Sequence, residues 1–273
     1  MAIICISRGT FSGGEAVAQQ VAERLGYPCL SREANLARAA ARYHIPAEAF
    51  TATLEKRPSF WDKVFGERDL YLLCVRAALF EQAQGGQLVY HGYLGQFLLP
   101  EVSPILRVRV IADQEFRLRA VMEQQHLPKP EALAHIKRVD QKRREWTRFL
   151  FDVDWEDPSL YDMVLNLGGM AVETAVETVI GLTKTAEFEC VSLQALQDWA
   201  LRSRVLAALA MDFRTRGADL HVTAETGIVT VTGTTHWREL VDAVPAVVRA
   251  VEGVREVRSE ITGVTPLHPL NFY

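Results

Sequence analysis

Up to about residue 183, short apolar runs alternate with longer stretches whose apolar residues recur at every third or fourth position. The runs "AIICI" (2–6), "QLVY" (87–90), "ILRVRVIA" (105–112) and "YDMVLNL" (161–167) predict strands, because they are too short for buried helices. The spacing predicts helices over 15–25, 32–43, 67–84, 114–125, 130–151 and 171–182. Short apolar strands separated by helices predict an α/β unit, a mostly parallel sheet covered on both faces and joined by right-handed crossovers.

The texture changes after "TKTAEFECVS" (183–192), which has no periodicity and predicts a linker. Residues 193–214 have helical spacing, with Leu196, Trp199, Ala200, Val205, Leu206 and Leu209 as the candidate buried positions. "ADLHVTAETGIVTVTGTT" alternates apolar and polar residues on either side of "ETG", a hairpin pattern. An amphipathic stretch over 236–250 and an alternating strand over 254–261 complete a small α+β module in the order αββαβ. The predicted organisation is a first domain over 1–183, a linker over 184–192, a second domain over 193–265 and a proline-broken tail over 266–273.

With 273 residues and 49% hydrophobic content, the chain can fill two cores, and its net charge of −4 argues against nucleic acid as a partner. It has no polybasic stretch, which argues against membrane contact. Cys5, Cys29, Cys74 and Cys190 are scattered without a CxxC pair; they predict buried, reduced thiols and a cytoplasmic location. The first residues lack the basic flank of a signal peptide. The seven histidines show no metal-ligand spacing; His91, beside Gly92 at a predicted strand end, is the one placed near a candidate site.

The chemistry concentrates in "SRGTFSGGEA" (7–16), between the first predicted strand and the first predicted helix. A glycine-rich turn opening onto a helix presents several backbone N–H groups and the positive end of the helix dipole to one anion. Gly9 and Gly14 match the first six positions of the phosphate-loop pattern G-x-x-x-x-G-K-[ST], but Glu15 and Ala16 stand at the lysine and hydroxyl positions. Unit charges about 4 Å apart interact by about 4 kcal/mol at a near-surface dielectric. Exchanging attraction for repulsion at position 15 therefore calls for compensation, and Arg8 is the nearest candidate. Thr10 and Ser12 are candidates for the missing hydroxyl.

The run "ISRGTFSGGEAVAQQVAERLGYPCLSRE" resembles the start of the cytidylate kinase-like family of nucleoside monophosphate kinase folds. Ser7, Arg8, Ser12, Gly13, Gly14, Ala18, Leu25, Gly26, Arg32 and Glu33 carry the likeness, which continues through "LRVRVIADQEFRLRAVME", "IKRVDQKRREWTRFLF" and "DPSLYDMVLN". The resemblance implies a P-loop αβα fold, ATP with Mg²⁺, and an acceptor nucleotide held around 31–65. It implies nucleotide contacts from Arg8, Gly9, Thr10, Ser12, Gly13, Gly14, Glu15, Ala16, Arg32, Arg117 and Arg148. Where the family carries charge at positions 15, 16, 31 and 93, this chain has Glu15, Ala16, Ser31 and Tyr93. Two functional readings stay open: a working nucleoside monophosphate kinase, or a nucleotide-binding sensor that no longer transfers phosphate. A third is a scaffold retaining only the fold.

Between 117 and 148 lie Arg117, Arg119, Lys137, Arg138, Lys142, Arg143, Arg144 and Arg148. Guanidinium groups match phosphate oxygens in pairs, and phosphoryl transfer rests on such neutralisation. Asp140, Arg144 and Arg148 share a helix face. The resemblance makes this segment the lid over ATP, with Asp140 and Arg143 on the family's D..R spacing and Arg119 and Arg144 beside them as catalytic candidates. Trp146, Phe149 and Phe151 are expected to pack rather than stack on a base.

"GIVTVTGTTHWRELVDAVPAVVRAVEGVREVRSEI" resembles the BON domain through Gly227, Val229, Val231, Gly233, Gly253, Val254 and Val257. Gly227 is expected to permit the hairpin turn and Gly233 to end the strand. The resemblance implies a binding module without catalytic residues, with a protein or small-molecule ligand as its partner.

Overall fold

The computed structural model describes residues 2–46, 48, 67–93, 95–188 and 192–263. Much of the expected acceptor segment, part of the linker with Cys190, and the tail with His268 lie outside the described residues.

The first domain runs β1 (Ile3–Arg8), α1 (Gly14–Leu25), β2 (Cys29–Ser31), α2 (Arg32–Tyr43), α3 (Glu67–Ala83), β3 (Leu88–Gly92), α4 (Gly95–Leu98), β4 (Ile105–Ile111), α5 (Gln114–Gln125), α6 (Lys129–Phe151), β5 (Met163–Asn166) and α7 (Val172–Leu182). The strands form one sheet in the order β2-β3-β1-β4-β5, and every neighbouring pair is parallel. Side chains alternate across a strand, so β1 feeds two cores. Ile3 and Cys5 join the layer containing α2 and α3, while Ile4 and Ile6 join the layer containing α1 and α7. Strand β2 was not among the expected strands; at three residues it is too short to show a period. Helix starts follow their caps: the Ser31 hydroxyl accepts from the Ala34 N–H at 3.0 Å, and Asp113 accepts from the Phe116 N–H at 2.8 Å.

The second domain comprises α8 (Leu193–Met211), β6 (Leu220–Glu225), β7 (Ile228–Thr235), α9 (Arg238–Arg249) and β8 (Glu256–Gly263). Its sheet order is β6-β7-β8, antiparallel across the hairpin and parallel between β7 and β8. Thr226 and Gly227 take φ of 46° and 86° at the turn, the left-handed pair that a tight hairpin requires. Gly233 does not end its strand. It lies inside β7 opposite Leu220, and a Cβ there would come within 2.9 Å of the Asp219 carbonyl. Its role is close backbone approach. Cys5 and Cys74 are buried thiols, whereas Cys29 is exposed on the short edge strand, contrary to expectation.

Helix α8 is apolar around most of its circumference, the pattern of a helix covered on two sides. Leu196, Ala200 and Ala207 belong to the first domain's core, and Leu201, Val205 and Leu209 to the core beneath the β6-β7-β8 sheet. At the edge of this contact Glu101 accepts from Arg76 at 2.9 Å and from Arg202 at 2.6 Å, a half-buried bridge between α3 and α8.

Two outcomes follow from this packing. Leu196 is fully buried, and Leu196→Ala is expected to cost about 2–5 kcal/mol. Urea denaturation followed by fluorescence and by far-ultraviolet circular dichroism will show both probes shifting together, because α8 is common to both cores. The second outcome concerns His91, which is 3% exposed with an Nδ1 lacking any hydrogen bond. Burial, then the Arg8 charge, lowers its pKa below the ordinary value. A histidine with a depressed folded pKa stabilises the fold above its unfolded pKa, near 6.5, and that contribution is lost as pH falls further, since the unfolded chain then takes up the proton. His91→Gln is expected to flatten the acid limb of a stability-against-pH curve measured from pH 7 down to pH 4.

Candidate functional site

In a parallel sheet, ligands settle at the carboxyl ends of the strands where the winding reverses. That point here is the end of β1, flanked by β3 and β4. The chain leaves β1 at Arg8 and turns through 9–13, with Phe11 at φ 56° and Gly13 at φ 79°, before α1 begins at Gly14. Two glycines make the turn possible. At Gly13 a Cβ would sit 2.8 Å from Leu167 Cδ1, and at Gly14 one would sit 2.8 Å from Arg8 Cβ. The Ser12 hydroxyl is fully enclosed and donates towards the Gly9 and Val110 carbonyls at 3.0 and 2.8 Å. Its proton is thereby directed to the loop's own carbonyls, and the side chain shapes the loop.

Above the loop lies the α5–α6 hairpin. Its own small core of Leu118, Val121, Ala132 and Ile136 takes in Phe11 from the loop. Polar contacts fasten the same junction. The Thr10 hydroxyl donates to Asp140 at 2.7 Å, and Arg117 donates to Asp140 at 2.6 Å and to the Thr10 carbonyl at 2.8 Å. Arg143 donates to the Arg8 carbonyl at 2.9 Å. Between loop and hairpin a cavity of about 460 Å³ remains. Residues 8–16 line it, with Phe116, His135 and Arg143 among those closing it from above.

The charges are balanced in pairs. Arg8 does not stand free in place of the lysine: it bridges Glu15 at 2.8 Å and Glu33 at 2.7 Å. Glu15 is half exposed and turned to this bridge. Arg143 is enclosed by rings, with its guanidinium carbon 5.2 Å from the Tyr93 centroid and 5.9 Å from that of Trp155. Burial draws its pKa down to about 10, with Tyr93 and Asp140 opposing that shift, so it is charged at neutral pH. The row continues outward. The Arg32 guanidinium carbon lies 4.6 Å from the Tyr93 centroid, and that of Arg109 lies 4.7 Å from the Trp155 centroid and 5.5 Å from the Tyr161 centroid. Each ring–cation contact of this kind contributes about 0.5–2 kcal/mol. Tyr93 thus receives two guanidinium groups.

The structure gathers Arg8, Gly9, Thr10, Ser12, Gly13, Gly14, Glu15, Ala16 and Arg143 around one cavity, with Asp140 and Arg117 bonded to its rim. Arg32 reaches the edge of the site through Tyr93. Three expected residues stand apart. Arg119 and Arg148 are exposed and do not line the cavity, and Arg144 pairs with Glu156 at 3.0 Å. The helix presents Arg143 to the loop, and Arg144 and Arg148 point elsewhere. His91 is buried in the sheet and does not line the cavity. Trp146 is buried, as expected of a packing residue. Sequence reading missed Arg109, Trp155 and Tyr161, because an arginine inside an apolar strand and two aromatics in a loop have no local spacing in common. Among the described residues no three histidines, cysteines or carboxylates gather around a metal position.

A family model described as the cytidylate kinase-like family matches residues 3–168, and one for the BON domain matches residues 197–264. The cytidylate kinase of Pyrobaculum islandicum is 26% identical over 195 residues, covering 69% of this chain and all of that protein. The cytidylate kinase of Archaeoglobus fulgidus is 26% identical over 180 residues, covering 65% of this chain and 92% of that one. Among solved structures, an uncharacterised protein from Eubacterium ventriosum superposes with a TM-score of 0.51 at 20% identity, covering 68% of this chain and 99% of that chain. That likeness supports the fold of the first domain. With a glycine loop at the end of the central strand, an arginine-bearing hairpin above it and a family match over more than half of its length, this chain belongs to the cytidylate kinase-like family.

Proposed function

We propose that the protein binds a nucleoside triphosphate in the glycine-loop cavity and transfers its terminal phosphoryl group to a nucleoside monophosphate. The observation that carries this reading is the convergence of Arg8 and Arg143 on the cavity floor and wall, where the family's lysine is absent. Phosphoryl transfer demands positioning and neutralisation of the phosphate oxygens more than covalent chemistry. The loop amides and the start of α1 supply the first, and the two guanidinium groups the second. Mg²⁺, entering with the nucleotide, would add to the neutralisation of phosphate charge. Arg32, held on Tyr93 beside Arg143, is placed to receive the monophosphate. Family membership and the relatives named as cytidylate kinases favour a pyrimidine acceptor.

A second reading rests on one observation. Three cations, Arg8, Arg117 and Arg143, stand against three carboxylates, Glu15, Glu33 and Asp140, so the loop and its surroundings have little net charge to offer an anion. A protein tuned this way binds nucleotide weakly and serves as a sensor, with the BON-like domain contacting a partner.

Coupled ADP release with purified protein, ATP, Mg²⁺ and CMP, dCMP, UMP, AMP or GMP decides between them. Turnover with a pyrimidine monophosphate is expected, and Arg143→Ala is expected to lower kcat at least about a hundredfold. Glu15→Gln, which removes one of the two carboxylates that Arg8 bridges and leaves Glu33, is expected to tighten ATP binding about tenfold in calorimetry. Binding of ATP without turnover on any acceptor would select the sensor, and absence of both would remove the nucleotide reading.

A further inference from the structure

A second cleft, of about 650 Å³, opens where the two domains meet. It lies near Gln84 and Gly85, just before β3 begins, and so at the amino-terminal end of the strands, opposite the end that carries the glycine loop. One face is a stripe of α8 formed by Gln194, Gln197, Leu201 and Arg204, spaced three or four residues apart along one side of the helix. The other face is the β6–β7 turn together with Gly253 and Arg255.

Arg204 is the unusual member. The half-buried Arg76, Arg117 and Arg202 each face a carboxylate within hydrogen-bond distance. Arg204 is equally half-buried, and among the described residues it makes no hydrogen bond or ion pair; its Nε is buried without a partner. What sets Arg204 apart is therefore its lack of a carboxylate partner, which leaves its terminal N–H groups open to an anion.

The surrounding backbone leaves room for charge. A Cβ at Gly253, whose φ is 94°, would sit 3.1 Å from an Arg204 terminal nitrogen. A Cβ at Gly227, whose φ is 86°, would sit 2.6 Å from Arg255 Nε. Each glycine accommodates one guanidinium. Arg255 donates to the Thr226 carbonyl, which leaves the rest of its guanidinium available. Among the described lining residues the one carboxylate is Asp198, whose Oδ1 accepts from the Thr226 N–H at 2.7 Å and from Gln194 at 3.0 Å and which makes no ion pair with either arginine. Two cations thus share the cleft with one anion.

We infer that this cleft binds a small phosphate-bearing ligand, its phosphate held by Arg204 and Arg255 and its body by side-chain amides such as Gln197. Guanidinium forks match phosphate oxygens, and the volume lies within the range of about 300–1,000 Å³ typical of small-molecule sites. Free phosphate and a nucleotide share this chemistry. The site is independent of the glycine loop and stands whether or not the protein is a kinase.

Isothermal titration of the full chain with pyrophosphate tests the inference. Two anion sites are expected in the wild-type protein, and Arg204→Gln is expected to abolish one, or weaken it at least tenfold, while leaving the loop site unchanged. Arg204→Lys is expected to retain part of the binding, and Arg255→Gln to repeat the loss, which keeps the test usable if one variant folds poorly. Should wild type bind at a single site, its loss in Arg204→Gln still supports the cleft and counts against the loop. Identical stoichiometry and affinity in wild type, Arg204→Gln and Arg255→Gln, or no binding in wild type, overturns the inference. Parallel titrations with orthophosphate and CMP separate the two sources: comparable affinities identify free phosphate, and tighter CMP identifies a nucleotide.

Discussion

Asp140 fixes the relation between the glycine loop and the helices above it. Its two oxygens accept from the Thr10 hydroxyl and from Arg117, and Arg117 returns to the Thr10 carbonyl. A closed ring of charge-assisted hydrogen bonds therefore joins the loop, α5 and α6. Phe11 enters the hairpin core from the same loop, and Arg143 bonds the carbonyl of Arg8 just before it. The cavity exists because these contacts hold the hairpin down at several points without filling the space between. Any ligand that widens the loop must work against this ring, so opening of the hairpin and shape of the loop change together.

The same economy governs charge. With a lysine at position 15, the cavity would hold a surplus cation at all times. With Glu15 there, Arg8 is drawn into a bridge with two carboxylates, and the positive charge facing the cavity comes from Arg8 and from Arg143 in its sheath of rings. Tyr93 takes part in that exchange. Its ring face meets two guanidinium groups, those of Arg32 and Arg143. Loss of charge at one position is met by organisation of charge at others, and a pairing that ties up Arg8 also keeps it beside the loop.

Much of this architecture is legible in the sequence, and the reasons differ from part to part. The helices of the first domain follow a stripe of apolar residues that only one period explains, so their ends fall within a residue or two of the structure. Strand β2 has three residues and no pattern to find. The loop is visible because glycine spacing is a local property. Its charge balance is not, since Arg8 pairs with residues 7 and 25 positions away, and Asp140 reaches the loop from 130 positions away. Arginine-rich spacing on α6 identifies a charged helix but not which arginine faces inward; burial selects Arg143, and Arg144 and Arg148 are left to solvent and to Glu156. Arg109 escaped notice because it occupies a strand position that periodicity assigns to the core, where rings take the place of aliphatic neighbours.

Helix α8 shows how a boundary drawn on texture differs from one drawn on packing. The change in pattern after residue 183 is real, and a new sheet does follow. Yet Leu196, Ala200 and Ala207 complete the first domain's core, so the helix that begins the second domain closes the first. A helix apolar on opposite faces has no stable exposed orientation, because burying either face alone leaves the other in water. The two domains are thereby held at a common element, and the Arg76–Glu101–Arg202 bridge fixes the register of α8 against α3. Displacement of the β6-β7-β8 sheet relative to α3 must pass through α8, and α3 packs on the layer that carries β1 and β3. Strand β1 ends at the glycine loop, and β3 ends beside it at Gly92. Events at the small domain and events at the loop are thus separated by one continuous core rather than by a flexible tether.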